Sequence, residues 1–122
     1  MGKLALGTFQ FGINYGVANR SGQIKFSVAK DIVRLAKKKK IDLMDTAIAY
    51  GESEKVLGKI GIADFKIISK LPDVPINCSN IESWINNEIE NCLKRLQTKS
   101  IYGLLLHQTK NFSGNSGKVI IN

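Results

Sequence analysis

One histidine, two cysteines and two prolines in 122 residues are scarcities that rule out several kinds of protein. Cys78 and Cys92 stand fourteen apart with no C-x-x-C spacing, so a structural zinc site lacks both ligands and pattern. Cys92 falls on the apolar stripe of an expected helix and reads as a reduced core thiol, which fits a cytoplasmic location. No apolar run approaches the ~18–20 residues that a membrane-spanning helix needs. The opening MGKLALGTFQFG has no signal-peptide zoning. Met1-Gly2 resembles the start of a myristoylation site, but Leu6 fills the position that wants Ser or Thr. The glycines of GTFQFG do not fit G-x-G-x-x-G, so a Rossmann dinucleotide site is unsupported. There is no G-x-S-x-G elbow for a serine nucleophile either.

What is present reads as one soluble globular domain. The apolar share is 43% and the charged share 23%, and the length suits a single hydrophobic core rather than two. Eighteen Lys and Arg stand against ten Asp and Glu, a formal charge of +8. The run KKKK at 37–40 ends a helical pattern, where cations face the negative pole of the helix dipole. A nucleic-acid footprint is the weaker reading, because the other basic residues are scattered without interleaved aromatics.

Elements alternate along the chain. Residues 3–9 read as a short strand, and Ser27 can cap a helix over 28–39 with Val28, Ile32, Leu35 and Ala36 on its apolar side. A strand follows at 41–45, a short helix at 53–60, and a strand at 65–69 that ends just before Lys70, with Pro72 and Pro75 in the loop beyond. Ile81, Trp84, Ile85, Ile89, Cys92, Leu93 and Leu96 recur at helical spacing over 80–97. A fourth strand, 102–107, ends on His107. Apolar strands alternating with helices predict a parallel α/β sheet with right-handed connections. Residues 108–122 carry no continuing period and read as an irregular tail, with VII at 119–121 as a scrap of strand.

In such sheets, functional residues gather at the C-terminal ends of the strands. Asp45 ends the second strand, Tyr50 lies in the loop DTAIAYGESE after it, and Lys70 and His107 end the third and fourth. Each has an ordinary reading when taken alone. Asp45 could cap a turn, Tyr50 could be a packing residue, Lys70 could be a solvated strand end, and Gly7 and Gly12 could serve only tight backbone geometry. Together they suit proton transfer to an oxygen. A free phenol, with a pKa near ~10, is a poor donor at neutral pH. A neighbouring ammonium favours the phenolate, and a carboxylate keeps a half-buried ammonium charged. His107 could orient a carbonyl oxygen.

GTFQFG at 7–12, DTAIAYGESEKVLG at 45–58, ISK at 68–70 and LLLH at 104–107 resemble, in order and spacing, the landmarks of the aldo-keto reductase family. The FGINYG and YGESE variants are similar to bacterial members. The resemblance implies a TIM-type (β/α)8 barrel that binds NADPH, less often NADH, and passes hydride to a small-molecule aldehyde or ketone. It assigns Tyr50 as general acid, Lys70 as the group tuning it, Asp45 as the partner of Lys70, and His107 as the carbonyl-orienting residue. It also places Gly7 and Thr8 at the nicotinamide end of the cofactor. It covers residues 1–107, four β/α units of a fold that takes roughly 250 residues. The family's later strands supply most cofactor contacts. The expectation is therefore a truncated N-terminal half-barrel that is inactive alone and binds NADPH weakly or not at all; a separate reading has it self-associate, or meet a complementing C-terminal half, through its exposed sheet edges. A non-catalytic folded remnant and a basic binding module are the alternatives.

Overall fold

Four strands form one parallel sheet in the order β1-β2-β3-β4. The computed structural model describes residues 3–13, 22–114 and 118. Its elements are β1 (Ala5–Gly7), α1 (Phe9–Gly12), α2 (Phe26–Lys38), β2 (Leu43–Asp45), α3 (Ser53–Ile60), β3 (Lys66–Leu71), α4 (Ile81–Leu96) and β4 (Gly103–Leu106), then a 3-10 turn at Thr109–Phe112. Each strand pairs with its predecessor, so the chain makes successive β/α units, the half (β/α)8 barrel expected from the sequence. The strand expected at 119–121 and residues 14–16 of FGINYG lie outside the described residues.

Strand parity divides the side chains between two faces. In β3, Ile67, Ser69 and Leu71 are buried, while Lys66, Ile68 and Lys70 alternate with them. The core lies on the helix side. Met44 and Ile67 of the sheet pack there with Ala29, Val33 and Ala36 of α2, Leu57 of α3, and Cys92 and Leu96 of α4. At Gly58 an added Cβ would stand 2.1 Å from the Arg95 carbonyl oxygen. Only a residue without a side chain lets α3 and α4 approach so closely.

Three expectations need correcting. Helix α2 starts at Phe26 with Lys25 at its N-cap, so Ser27 lies inside the first turn and does not cap it. Its buried residues are Ala29, Val33 and Ala36, whereas Val28 and Leu35 are about half exposed. The buried stripe is turned by roughly one residue, because small Ala29 lets the helix sit close to its neighbours where the larger Val28 would hold it away. β3 continues through Lys70 to Leu71, since Lys70 and Leu71 pair with Leu105 and Leu106 of β4. Pro72, which has no N–H to donate, follows directly.

The lysine run ends α2 as expected. Lys37 and Lys38 fall in the last turn, Lys37 pairs with Asp64, and Lys40 takes a left-handed conformation. Helix α4 is closed at both ends: Asn80 Oδ1 accepts the Ser83 N–H at 2.9 Å, and Gln97 turns the chain in a left-handed conformation.

The sheet face opposite the helices is open. Leu105 there is 50% exposed, and Leu4, just before the β1 edge strand, is 70% exposed. Among the described residues, no helix is long and apolar enough to cross a membrane.

Candidate active site

The alternation of the parallel sheet brings the chemistry together. Gly7, Asp45, Ile68 and Gly103 form one row across the strands in register. Lys70 stands two residues above Ile68 on the same face of β3, so its side chain reaches back over the row to Asp45. The Lys70 ammonium lies 2.8 and 2.7 Å from the two Asp45 carboxylate oxygens and 2.9 Å from the Thr46 carbonyl. It also lies 3.4 Å from the Tyr50 hydroxyl. The Lys70 side chain is only 17% exposed, so the paired carboxylate compensates a charge that has lost much of its water.

Tyr50 is held by aromatic edges on two sides. Phe9 meets it with ring centroids 4.7 Å apart, and His107 with centroids 5.9 Å apart. His107 continues the β4 ladder by donating its backbone N–H to Leu71 O at 3.0 Å, which fixes where the imidazole starts. The structure thus brings Asp45, Tyr50, Lys70 and His107 to one rim. Gly7 shares the Asp45 row, and no atom lies within 4 Å of where its Cβ would stand. Thr8 differs from its neighbour. It is fully buried, and its hydroxyl donates to Asp45 O at 2.9 Å.

Behind this rim are two buried polar groups that the sequence reading passed over. The first is made of Thr8, Thr46 and Ser53. The second centres on Glu54, 1% exposed, which accepts from Ser69 Oγ at 3.1 Å, Cys92 Sγ at 3.0 Å and Arg95 Nε at 2.7 Å. A signal was available: Glu54 shares the buried face of SEKVLGKI with Leu57 and Gly58, and an acid on an apolar face needs a buried partner.

This environment fixes the state of Cys92. Burial, followed by the hydrogen bond to Glu54, pushes its thiol from 9.0 up to about 12. The folded chain keeps this proton where the unfolded chain has begun to release it. The contribution to stability is therefore full below about pH 9 and is lost as pH rises towards about 12. Denaturant titrations of the native chain and Cys92→Ala should diverge across that alkaline window, with the variant showing the shallower decline. Parallel curves would contradict the assignment. Cys78 is only partly buried, so a thiol reagent should modify it first and reach Cys92 only on unfolding.

A parallel sheet of four β/α units, with Asp45, Tyr50, Lys70 and His107 gathered at one rim, has the architecture of half a (β/α)8 barrel. The chain belongs to the aldo/keto reductase family, whose family model matches residues 3–111. Among solved structures, it is similar to a protein from Pseudomonas aeruginosa assigned as an aldo-keto reductase. That match has 32% identity and a TM-score of 0.73, and covers 98% of this chain and 46% of that one. It is also similar to a thermostable aldo-keto reductase solved with the inhibitor epalrestat, at 26% identity and a TM-score of 0.64, covering 88% of this chain and 38% of that one. An aldo-keto reductase from Klebsiella pneumoniae, solved with NADPH, shares the fold at 23% identity and a TM-score of 0.63, covering 86% and 34%. The chain thus spans less than half the length of these relatives. No match was found among curated proteins.

Proposed function

We propose that the rim is the catalytic group of an NAD(P)H-dependent oxidoreductase that reduces an aldehyde or ketone. The observation that carries this reading is the Lys70 ammonium, gripped by both Asp45 oxygens while reaching the Tyr50 hydroxyl. Tyr50 gives its hydroxyl proton to the substrate carbonyl oxygen. Lys70 stabilises the negative charge left on the phenol oxygen, Asp45 holds Lys70 in place, and His107 donates a hydrogen bond that orients the carbonyl. NADPH or NADH, when bound, supplies the hydride that completes the alcohol. The open space over Gly7 suits a flat ring approaching the backbone. Thr8 borders that space with its hydroxyl and its backbone N–H both donated to Asp45 O, so it shapes the site and adds no free donor.

The four units alone leave this group facing an open sheet. Water there weakens each electrostatic contact. The chain by itself is therefore inactive in this reading, and works in the cytoplasm with a partner that covers the inner face: a C-terminal half-barrel, or less effectively a second copy. Support comes from the exposed Leu105 and from β1 and β4 standing at the two edges of the sheet.

Titrating NADPH into the isotope-labelled chain tests the reading. Saturable amide shifts at Gly7, Thr8 and the surroundings of Tyr50, Lys70 and His107 are expected, with no turnover of an aldehyde panel. A well-dispersed spectrum that ignores both NADPH and NADH would instead identify a folded, non-catalytic remnant. Steady turnover by the chain alone would overturn the need for a partner.

A further inference from the structure

We infer that Ser53 is a positioning residue for Tyr50: its buried hydroxyl bolts the Tyr50 turn to the ends of β1 and β2, and so sets the distance from the phenol to Lys70. This rests on the proposed role of Tyr50. Thr8, Thr46 and Ser53 are each fully buried, where a hydroxyl without a partner is costly. They come from three places: the residue after β1, the residue after β2, and the first residue of α3. Ser53 Oγ lies 3.0 Å from Thr8 O, 3.1 Å from Thr8 Oγ1 and 3.2 Å from Thr46 Oγ1.

Three hydroxyls carry three protons, and all three can be donated at once, with Ser53 giving its proton to Thr8 O or to Thr8 Oγ1. Thr8 donates to Asp45 O, and Thr46 donates to Ser53 Oγ. Ser53 is the middle link, and it is the one attached to the catalytic turn, since its backbone N–H donates to Tyr50 O at 3.0 Å. Thr46 faces both ways. Its hydroxyl meets Ser53, and its carbonyl takes the Lys70 ammonium at 2.9 Å. Lys70 and the Tyr50 turn are therefore referenced to the same residue.

The turn is also packed against bare backbone. A Cβ on Gly12 would stand 1.8 Å from Tyr50 O and 2.4 Å from Ser53 N, and Gly51 holds a φ of +54°. The end of α1 thus presses bare backbone onto residues 50–53. Removing a hydroxyl therefore takes away the side-chain links of this turn to Thr8 and Thr46 and leaves the backbone packing of Gly12 in place. A fully satisfied polar cluster of this kind specifies one arrangement where apolar packing would tolerate several.

The experiment compares nuclear Overhauser contacts between the Tyr50 and His107 rings in the 122-residue chain and in Ser53→Ala, Thr46→Val and Thr46→Ser. Methyl signals of Leu57, Ile67 and Leu96 report the core. Ser53→Ala and Thr46→Val should lose the ring contacts with the core signals in place, and Thr46→Ser, which keeps the hydroxyl, should restore them. Unchanged ring contacts in Ser53→Ala would overturn the inference. If Ser53→Ala loses its core signals, the Thr46 pair decides: Val and Ser behaving alike, folded or not, also overturns it. None of these readouts needs NADPH, so a chain that ignores the cofactor refutes the proposed activity without touching this result. In an assembly with measurable turnover, Ser53→Ala should lower kcat by about 10²-fold with little change in KM, as expected for a reacting group displaced by about 1 Å.

Discussion

Replacing Glu54 with alanine is expected to destabilise the fold by about 3–5 kcal/mol, the range for breaking a buried ion pair by removing one partner. That is a large part of the ~5–15 kcal/mol that holds a typical domain together. The cost arises on three elements at once. Ser69 of β3 loses its acceptor, Cys92 of α4 loses the partner of its thiol, and Arg95 of α4 loses the carboxylate at 2.7 Å. Among the described residues the buried NH2 nitrogen of Arg95 already lacks a partner, so losing the carboxylate leaves a second buried part of the guanidinium unpaired. Urea unfolding followed by circular dichroism measures the effect. Glu54→Gln should fall between the native chain and Glu54→Ala, since it keeps an acceptor and loses the charge. The double variant Glu54→Met with Arg95→Met should recover much of the loss, because apolar pairs often replace buried ion pairs without penalty. A cost below about 1 kcal/mol for Glu54→Ala would show that the cluster is ornamental to stability, within the range of ordinary substitutions.

The second large effect concerns turnover. Mixed with a C-terminal half-barrel cut from the Pseudomonas aeruginosa relative, the chain is expected to gain NADPH-dependent reduction of an aldehyde. Tyr50→Phe in that assembly should then lose about 10²–10⁴-fold in kcat, the contribution of a positioned general acid. The ring remains in Tyr50→Phe and can still pack against Phe9 and His107, so the loss reads the proton and not the packing. Lys70→Met should cost turnover too, and it also strands the Asp45 carboxylate, so its stability must be measured alongside. Full activity in Tyr50→Phe would remove Tyr50 from the mechanism, whatever the fate of Lys70. A folded mixture with no activity in the native pair would instead refute complementation by this half.

Periodicity alone located the helices at 53–60 and 81–96 almost to the residue, because a covered parallel sheet forces helices to be amphipathic and strands to be apolar. It also placed Asp45, Tyr50, Lys70 and His107 near strand ends. It was half right about α2, where Ala36 is buried and Ile32 packs against the core, but Val28 and Leu35 are about half exposed and Ala29 and Val33 are buried in their place. Pattern reading weights size, whereas close approach of a helix rewards smallness. The four-residue α1 was invisible for a related reason: FQFG is too short to show a period.

The sequence by itself therefore determined the alternation of elements, the parallel class, the family, and which four residues stand at the rim. Local propensity and spacing carry the alternation and the strand ends, and the resemblance of the four motifs carries the family. Tertiary structure alone decided the distances at which Lys70 meets Asp45 and Tyr50, that Thr8 turns its hydroxyl inward to meet Ser53, and that Glu54 joins α3 to β3 and α4. Those facts depend on strand register and on contacts between residues 15 to 45 apart in the chain. Such contacts exist only once the sheet has aligned one strand against the next, and no local pattern encodes that alignment.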